Sequence, residues 1–378
     1  MLELASAASV AGDAQAPAEP PPSSFEQLKA KAEAARDTDQ IEEALRHYNQ
    51  LLKMRPEWAE GWWHIGALNY DRDQYSPARD GFAKFVVLEP ENGQGWGMLG
   101  LCEYQLGQHV NALQHLVKAR TLGLGGNEEL ARVVRFHQAL LLNLGEQFEA
   151  AMTILRGFAL QNRESPAVLD AMGLSVLRIP GPVSSLTTED QAMVRQFGKA
   201  AFLRVQDKQP DALRMFEELE AKYRGRPNVA YAYAVALVKE TEGREKALEQ
   251  FKKELERDPN HVPAMLQYGF ESLAQDRPDQ ALPYAKKAAE LMPKSFVPFY
   301  LQGQIYLKLN DLALAVRMLE EARLLAPASS KVLYSLALAY RRAGRSEDAA
   351  KTRAEFDKSR ELEKRQGAVL PYSGEDEP

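Results

Sequence analysis

One cysteine in 378 residues, Cys102, forbids an internal disulfide and says little about redox compartment. It sits in a helical stretch rich in small and apolar residues and reads as ordinary packing. No apolar run is long enough to span a bilayer as a helix. Positive charge is not in excess either. A formal net charge of −6 and a pI near 5.7 argue against the clustered basic footprint of a nucleic-acid binder.

Catalytic and cofactor signatures fail in the same way. Gly95-Trp96-Gly97-Met98-Leu99-Gly100 spells a dinucleotide-binding pattern, but that turn needs a preceding strand, and here the residues fall inside a helical segment. Gly123 to Gly126 lacks the Lys-Ser/Thr of a phosphate-binding loop and reads as a turn. His47, His64, His109, His115, His137 and His261 form no H-E-x-x-H pair and no metal-ligand spacing with Cys102. Gly173-Leu174-Ser175-Val176-Leu177 lacks the second glycine of a nucleophile elbow. The expectation is a chain without catalytic residues, cofactor or metal.

What the chain does have is a period. Pro56 and Pro90 lie 34 residues apart, and so do Pro259, Pro293 and Pro327 in succession. When each unit is counted so that its closing proline is position 32, Trp62, Ile65 and Gly66 fall on the positions of Trp96, Leu99 and Gly100. Phe299 and Gly303 repeat the first and last of these positions. Position 20 is Ala44, Ala78, Ala112, Ala212, Ala247, Ala281, Ala315 and Ala349. Position 24 is large and apolar at Tyr48, Phe82, Leu116, Phe216, Phe251 and Leu319. Small residues at positions 8 and 20 let two helix axes approach to about 8 to 10 Å, and large ones at 4 and 24 fill the space beside the contact. Proline at 32 ends the second helix and turns the chain.

On these residues the chain resembles the tetratricopeptide repeat (TPR) family, and the resemblance implies an all-α, α-α superhelical solenoid of about nine helix-turn-helix units. They fall near 25–58, 59–92, 93–125, 132–165, 193–227, 228–261, 262–295, 296–329 and 330–363. The array is irregular in the middle. Arg135 takes position 4 of the fourth unit, whose turn fits best with one residue lost, and Gly123-Leu124-Gly125-Gly126 replaces the closing proline of the third. Residues 167–178 read as an unpaired helix centred on Gly173, broken by Ile179-Pro180-Gly181-Pro182-Val183. Thr187-Thr188-Glu189-Asp190 caps the next helix.

The predicted organisation is therefore an N-terminal array over 25–178, a loop at 179–187, and a C-terminal array over 188–366 that ends in a polar capping helix. Residues 1–24, rich in Ala, Pro and Ser, and the acidic tail 367–378 are expected to be disordered. The first segment reads either as the remnant of a bacterial secretory leader, lacking its positive start, or as an ordinary tail. The first case puts the protein in the periplasm or outside the cell, the second in the cytoplasm.

The resemblance also implies a site. In TPR proteins the first (A) helices of the units line a concave groove, through positions 2, 5, 6, 9 and 12. Carried over, these give Trp63, His64 and Tyr70, then Met98, Leu101 and Tyr104, then Phe136 and His137, and later Tyr233, Phe270, Tyr300 and Tyr334. Aromatic and methionine side chains are enriched at binding cores. The clamp that some family members use for acidic chaperone tails is not matched: of Lys29, Glu33, His64, Gln94 and Met98 only Lys29 suits a carboxylate. The expected function is a scaffold or assembly factor holding a protein or peptide partner. Binding of a glycan or small ligand on the groove aromatics is the alternative.

Overall fold

A computed structural model describes residues 24–369 except 239, 241 and 242. The segment expected to be disordered at the N-terminus, apart from Ser24, and residues 370–378 of the acidic tail lie outside the described residues. Within them the chain is all-α, with nineteen α-helices and one 3-10 turn. It divides into two compact units, Met1–Val134 and Arg135–Pro378.

The first unit is three helix pairs: α1 (Ser24–Asp37) with α2 (Ile41–Met54), α3 (Ala59–Tyr70) with α4 (Tyr75–Leu88), and α5 (Gly93–Gln105) with α6 (His109–Leu122). Tyr48, Phe82 and Leu116 at position 24 are wholly buried, as are Ala44, Ala78 and Ala112 at position 20. The small residues face these rings closely. A Cβ on Gly66 would lie 2.8 Å from the Phe82 ring, and one on Gly100 2.8 Å from Leu116. Position 4 does more than fill space. The indole N–H of Trp62 donates to the carbonyl of Pro56, and that of Trp96 to Pro90, each at 2.8 Å, so each unit is tied to the proline turn before it.

α7 (Glu128–Leu144) spans the division between the units. The second unit continues with α8 (Phe148–Leu160), α9 (Pro166–Val176), α10 (Thr188–Val205), α11 (Gln209–Lys222), α12 (Val229–Leu237) and α13 (Arg244–Arg257). The pairs α14 (Val262–Ala274) with α15 (Pro278–Leu291), α16 (Phe296–Lys308) with α17 (Leu312–Leu325), and α18 (Ser330–Arg342) with α19 (Ser346–Val369) complete it. The fourth turn keeps the common length instead of losing a residue: Gln147 N donates to Leu142 O across a left-handed Glu146. What differs there is the longer first helix.

The helix expected to stand unpaired is α9, and it is the partner of α10. Their crossing leaves no space for a side chain at either glycine. A Cβ on Gly173 would lie 1.9 Å from the Val194 carbonyl oxygen, and one on Gly198 1.8 Å from that of Leu169. The sequence conceals this pair because residues 177–187, with a 3-10 turn at Val183–Ser185, replace the short turn used elsewhere. Thr187 does cap α10, accepting from Asp190 N at 3.2 Å. One apolar core then runs through Ala139, Phe158, Met172, Phe197, Phe216, Tyr233, Phe251 and Met265, on both sides of that connection.

Candidate functional site

In the first unit the A helices are joined by polar side chains on the expected groove face. Lys29 of α1 donates to Glu60 of α3 at 3.0 Å and also pairs with Glu33 at 3.7 Å. Arg36 of α1 approaches His64 Nε2 at 3.4 Å, and the His64 ring stacks on Tyr48 at 4.8 Å. Burial, then the Arg36 guanidinium, push the His64 pKa below its usual value, although Glu60 pulls the other way. Burial raises the Glu60 carboxyl, but the hydrogen bond and charge of Lys29, with His64 and the Trp58 indole N–H adding to them, leave the group lowered.

Beside this network lies an open hollow of about 470 Å³. Trp63 and Phe85 give it aromatic walls, Glu60 and Glu89 its carboxylates, and Asn92 and Gln94 its amides; Ala59 and His64 complete the lining. Trp63 is held edge-on to Phe82 and Phe85, with centroids 5.4 and 5.1 Å apart. Asn92 is engaged as a helix cap, accepting from Gly95 N at 3.1 Å. Gln94 donates its amide to Leu124 O at 3.2 Å.

The positions carried over from the family fare unevenly. Trp63 and His64 line the hollow, and Tyr70, Met98 and Tyr104 are half-buried on α3 and α5. Burial raises the Tyr70 and Tyr104 phenols. Leu101 is only 3% exposed and belongs to the interior. In the second unit Tyr233 is buried too, at 2%, within the main core and under the ammonium of Lys246 at 5.2 Å. Phe136 packs on Phe158 at 6.0 Å and on its neighbour His137 at 5.9 Å. Phe270 and Tyr300 meet at 6.4 Å, whereas Tyr334, 52% exposed, lies against Phe356 of α19 at 5.6 Å. Glu60 and Glu89 were not singled out from the sequence, and Gln94 was weighed only as a position of the chaperone-tail clamp. Glu60 and Gln94 hold position 2 of their units and carried no aromatic signal, while Glu89 and Phe85 come from the second helix, outside any list of A-helix positions.

Among the described residues, no group of three or more His, Cys, Asp or Glu is placed to hold a metal ion. The lone thiol, Cys102, is buried and pushed up to about 12 by that burial, with Glu103 adding to it, so it is no nucleophile at neutral pH.

Stacked helix pairs with small residues at their crossings define an all-α repeat protein. The chain carries tetratricopeptide repeats: the family description matches residues 29–84 and 300–354. Solved structures of MamA resemble parts of it. A double mutant, MamA RS-1 ArsTM, is 20% identical over 45% of this chain and 96% of its own, with a TM-score of 0.43. MamA 41-end from Desulfovibrio magneticus RS-1 is 23% identical over 46% and 96%, with a TM-score of 0.40. A further MamA crystal structure is 16% identical over 47% and 96%, with a TM-score of 0.42. Likeness this remote carries nothing about partners. No curated protein matches the sequence.

Proposed function

We propose that the chain is a non-enzymatic scaffold or assembly factor, and that the A-helix face of its first unit takes an extended peptide or amphipathic helix from a partner protein. The observation that carries this reading is the row of half-buried Trp63, Tyr70, Met98 and Tyr104 on consecutive A helices, with an open hollow beside Trp63. Rigid aromatic side chains bury much area at little entropic cost, which is why they anchor interfaces.

A partner is isolated by pull-down with the full chain and its affinity compared across variants. Trp63→Ala with Tyr104→Ala lowers affinity by about 2 kcal/mol or more. Phe82→Ala, which empties a wholly buried site, destabilises the fold by about 3 to 5 kcal/mol. Parental affinity in the double variant would place the contact elsewhere. Release of the bound material by oligosaccharide would favour the glycan-binding alternative.

A further inference from the structure

We propose that the hollow beside Trp63 receives an arginine side chain from a positively charged segment of the partner. This rests on the groove reading above and assigns the partner's chemistry.

The lining is rich in acceptors and holds no cation. Its charged residues are Glu60 and Glu89. Lys29 accounts for Glu60, whereas exposed Glu89 makes no ion pair among the described residues. Gln94 spends an amide N–H on Leu124 and keeps its carbonyl oxygen as an acceptor. Trp63 and Phe85 supply aromatic surface, with the indole fixed by its ring contacts. A planar guanidinium matches this set, because it stacks on an aromatic ring while its several N–H groups donate to carboxylate and amide oxygens. An anionic guest would meet two carboxylates, and a purely apolar one would leave Glu89 and the amides without compensation.

Charge on the larger scale agrees. Residues 24–134 carry 16 Asp and Glu against 12 Lys and Arg, whereas residues 135–369 carry 31 against 35. The acidity is thus concentrated in the unit with the hollow, where it draws a basic segment in. The segments 1–23 and 370–378 have the wrong sign to fill it. Residues 1–23 hold Glu3, Asp13 and Glu19, residues 370–378 hold Glu375, Asp376 and Glu377, and neither has a Lys or Arg.

The test is selection of random twelve-residue peptides displayed on phage against the full chain at physiological salt, followed by affinity measurement on synthetic copies of the enriched peptides. Arginine is expected to be enriched over the starting library, and replacing it with citrulline should weaken binding tenfold or more. Glu89→Lys, an exposed change that leaves helicity and melting temperature near those of the parent, should weaken the same peptides at least tenfold. Enrichment of neutral or acidic peptides would overturn the proposal, as would indifference to citrulline and to Glu89→Lys. If those peptides still depend on Trp63 and Tyr104, only the preference for arginine falls. If they do not, or if nothing is enriched, the groove reading falls with it.

Discussion

At position 15 of eight units the backbone turns left-handed, at Asp39, Asp73, Gly107, Glu146, Asp207, Asp276, Asn310 and Gly344. Each closes its first helix by the same device, in which the next residue's N–H reaches back five residues, as from Gln40 to Ala35 O at 2.8 Å and from Asp311 to Tyr306 O at 2.9 Å. Asp, Asn and Gly tolerate that conformation, and Glu tolerates it less well. Glu146→Gly is therefore expected to stabilise the fold by about 0.5 to 1 kcal/mol, read as a higher urea midpoint. Glycine also serves where no side chain fits. Gly198→Ala sets a methyl against the Leu169 carbonyl, a backbone atom that cannot swing aside, and should cost about 1 to 3 kcal/mol or more. Gly157, in α8 with nothing within 4 Å of its would-be Cβ, is the control: Gly157→Ala should stabilise by about 0.5 to 1 kcal/mol. Equal midpoints for the two alanine variants would refute the packing described for α9 and α10.

Among the elements, α12 begins with a cap drawn from α13, and α14 with its own N-cap His261, which the start of α12 holds in place. Glu254 of α13, only 1% exposed, accepts from Asn228 N at 3.1 Å and Tyr231 N at 3.4 Å at the start of α12, and takes Arg257 Nε at 2.9 Å. His261 accepts from Ala264 N at 3.0 Å through Nδ1 and meets Asn228 Oδ1 at 2.6 Å through Nε2, which requires the neutral ring with its proton on Nε2. Burial pushes its pKa below the usual value; nearby Arg178 acts the same way, while Glu254 and Asp258 oppose them. Because the folded pKa is depressed, the stability this ring supplies is fully present above its unfolded pKa and is lost as pH falls through the folded one. Lowering the pH from about 7 to about 5 should thus depress the melting temperature of the parent more than that of His261→Asn, whose cap does not titrate. Parallel pH profiles for the two proteins would exclude a role for this ring in acid lability.

At the scale of the whole molecule, the connection at 177–187 interrupts the repeat but not the core. Met172 and Leu174 on one side, and Phe197 and Phe202 on the other, share one apolar cluster. A single nick introduced between Gly181 and Pro182 should leave the two pieces associated through size-exclusion chromatography, because the α9–α10 crossing and its core persist without the linking peptide. Separation into two independently folded fragments would restore the boundary that the sequence suggests. No helix among the described residues is long and apolar enough to cross a membrane.

The helical pairs were legible in the sequence because every unit must bury the same face against its neighbours. That requirement repeats Gly66 at Gly100 and Gly303, and Ala78 at seven other positions, with a period that needs no tertiary information. The capping turn of α10 was legible for a similarly local reason. What lies beyond one unit was not. The partnership of α9 with α10 depends on backbone approach at Gly173 and Gly198 across a connection of unusual length, so periodicity carries no trace of it. A repeat position fixes where a Cα sits on its helix, but not what covers the side chain, and so Leu101 and Tyr233 were placed on a groove and lie in the interior. The hollow beside Trp63 is likewise decided by tertiary structure, since its walls come from α3, the end of α4 and the start of α5, residues that meet only after the helices have packed.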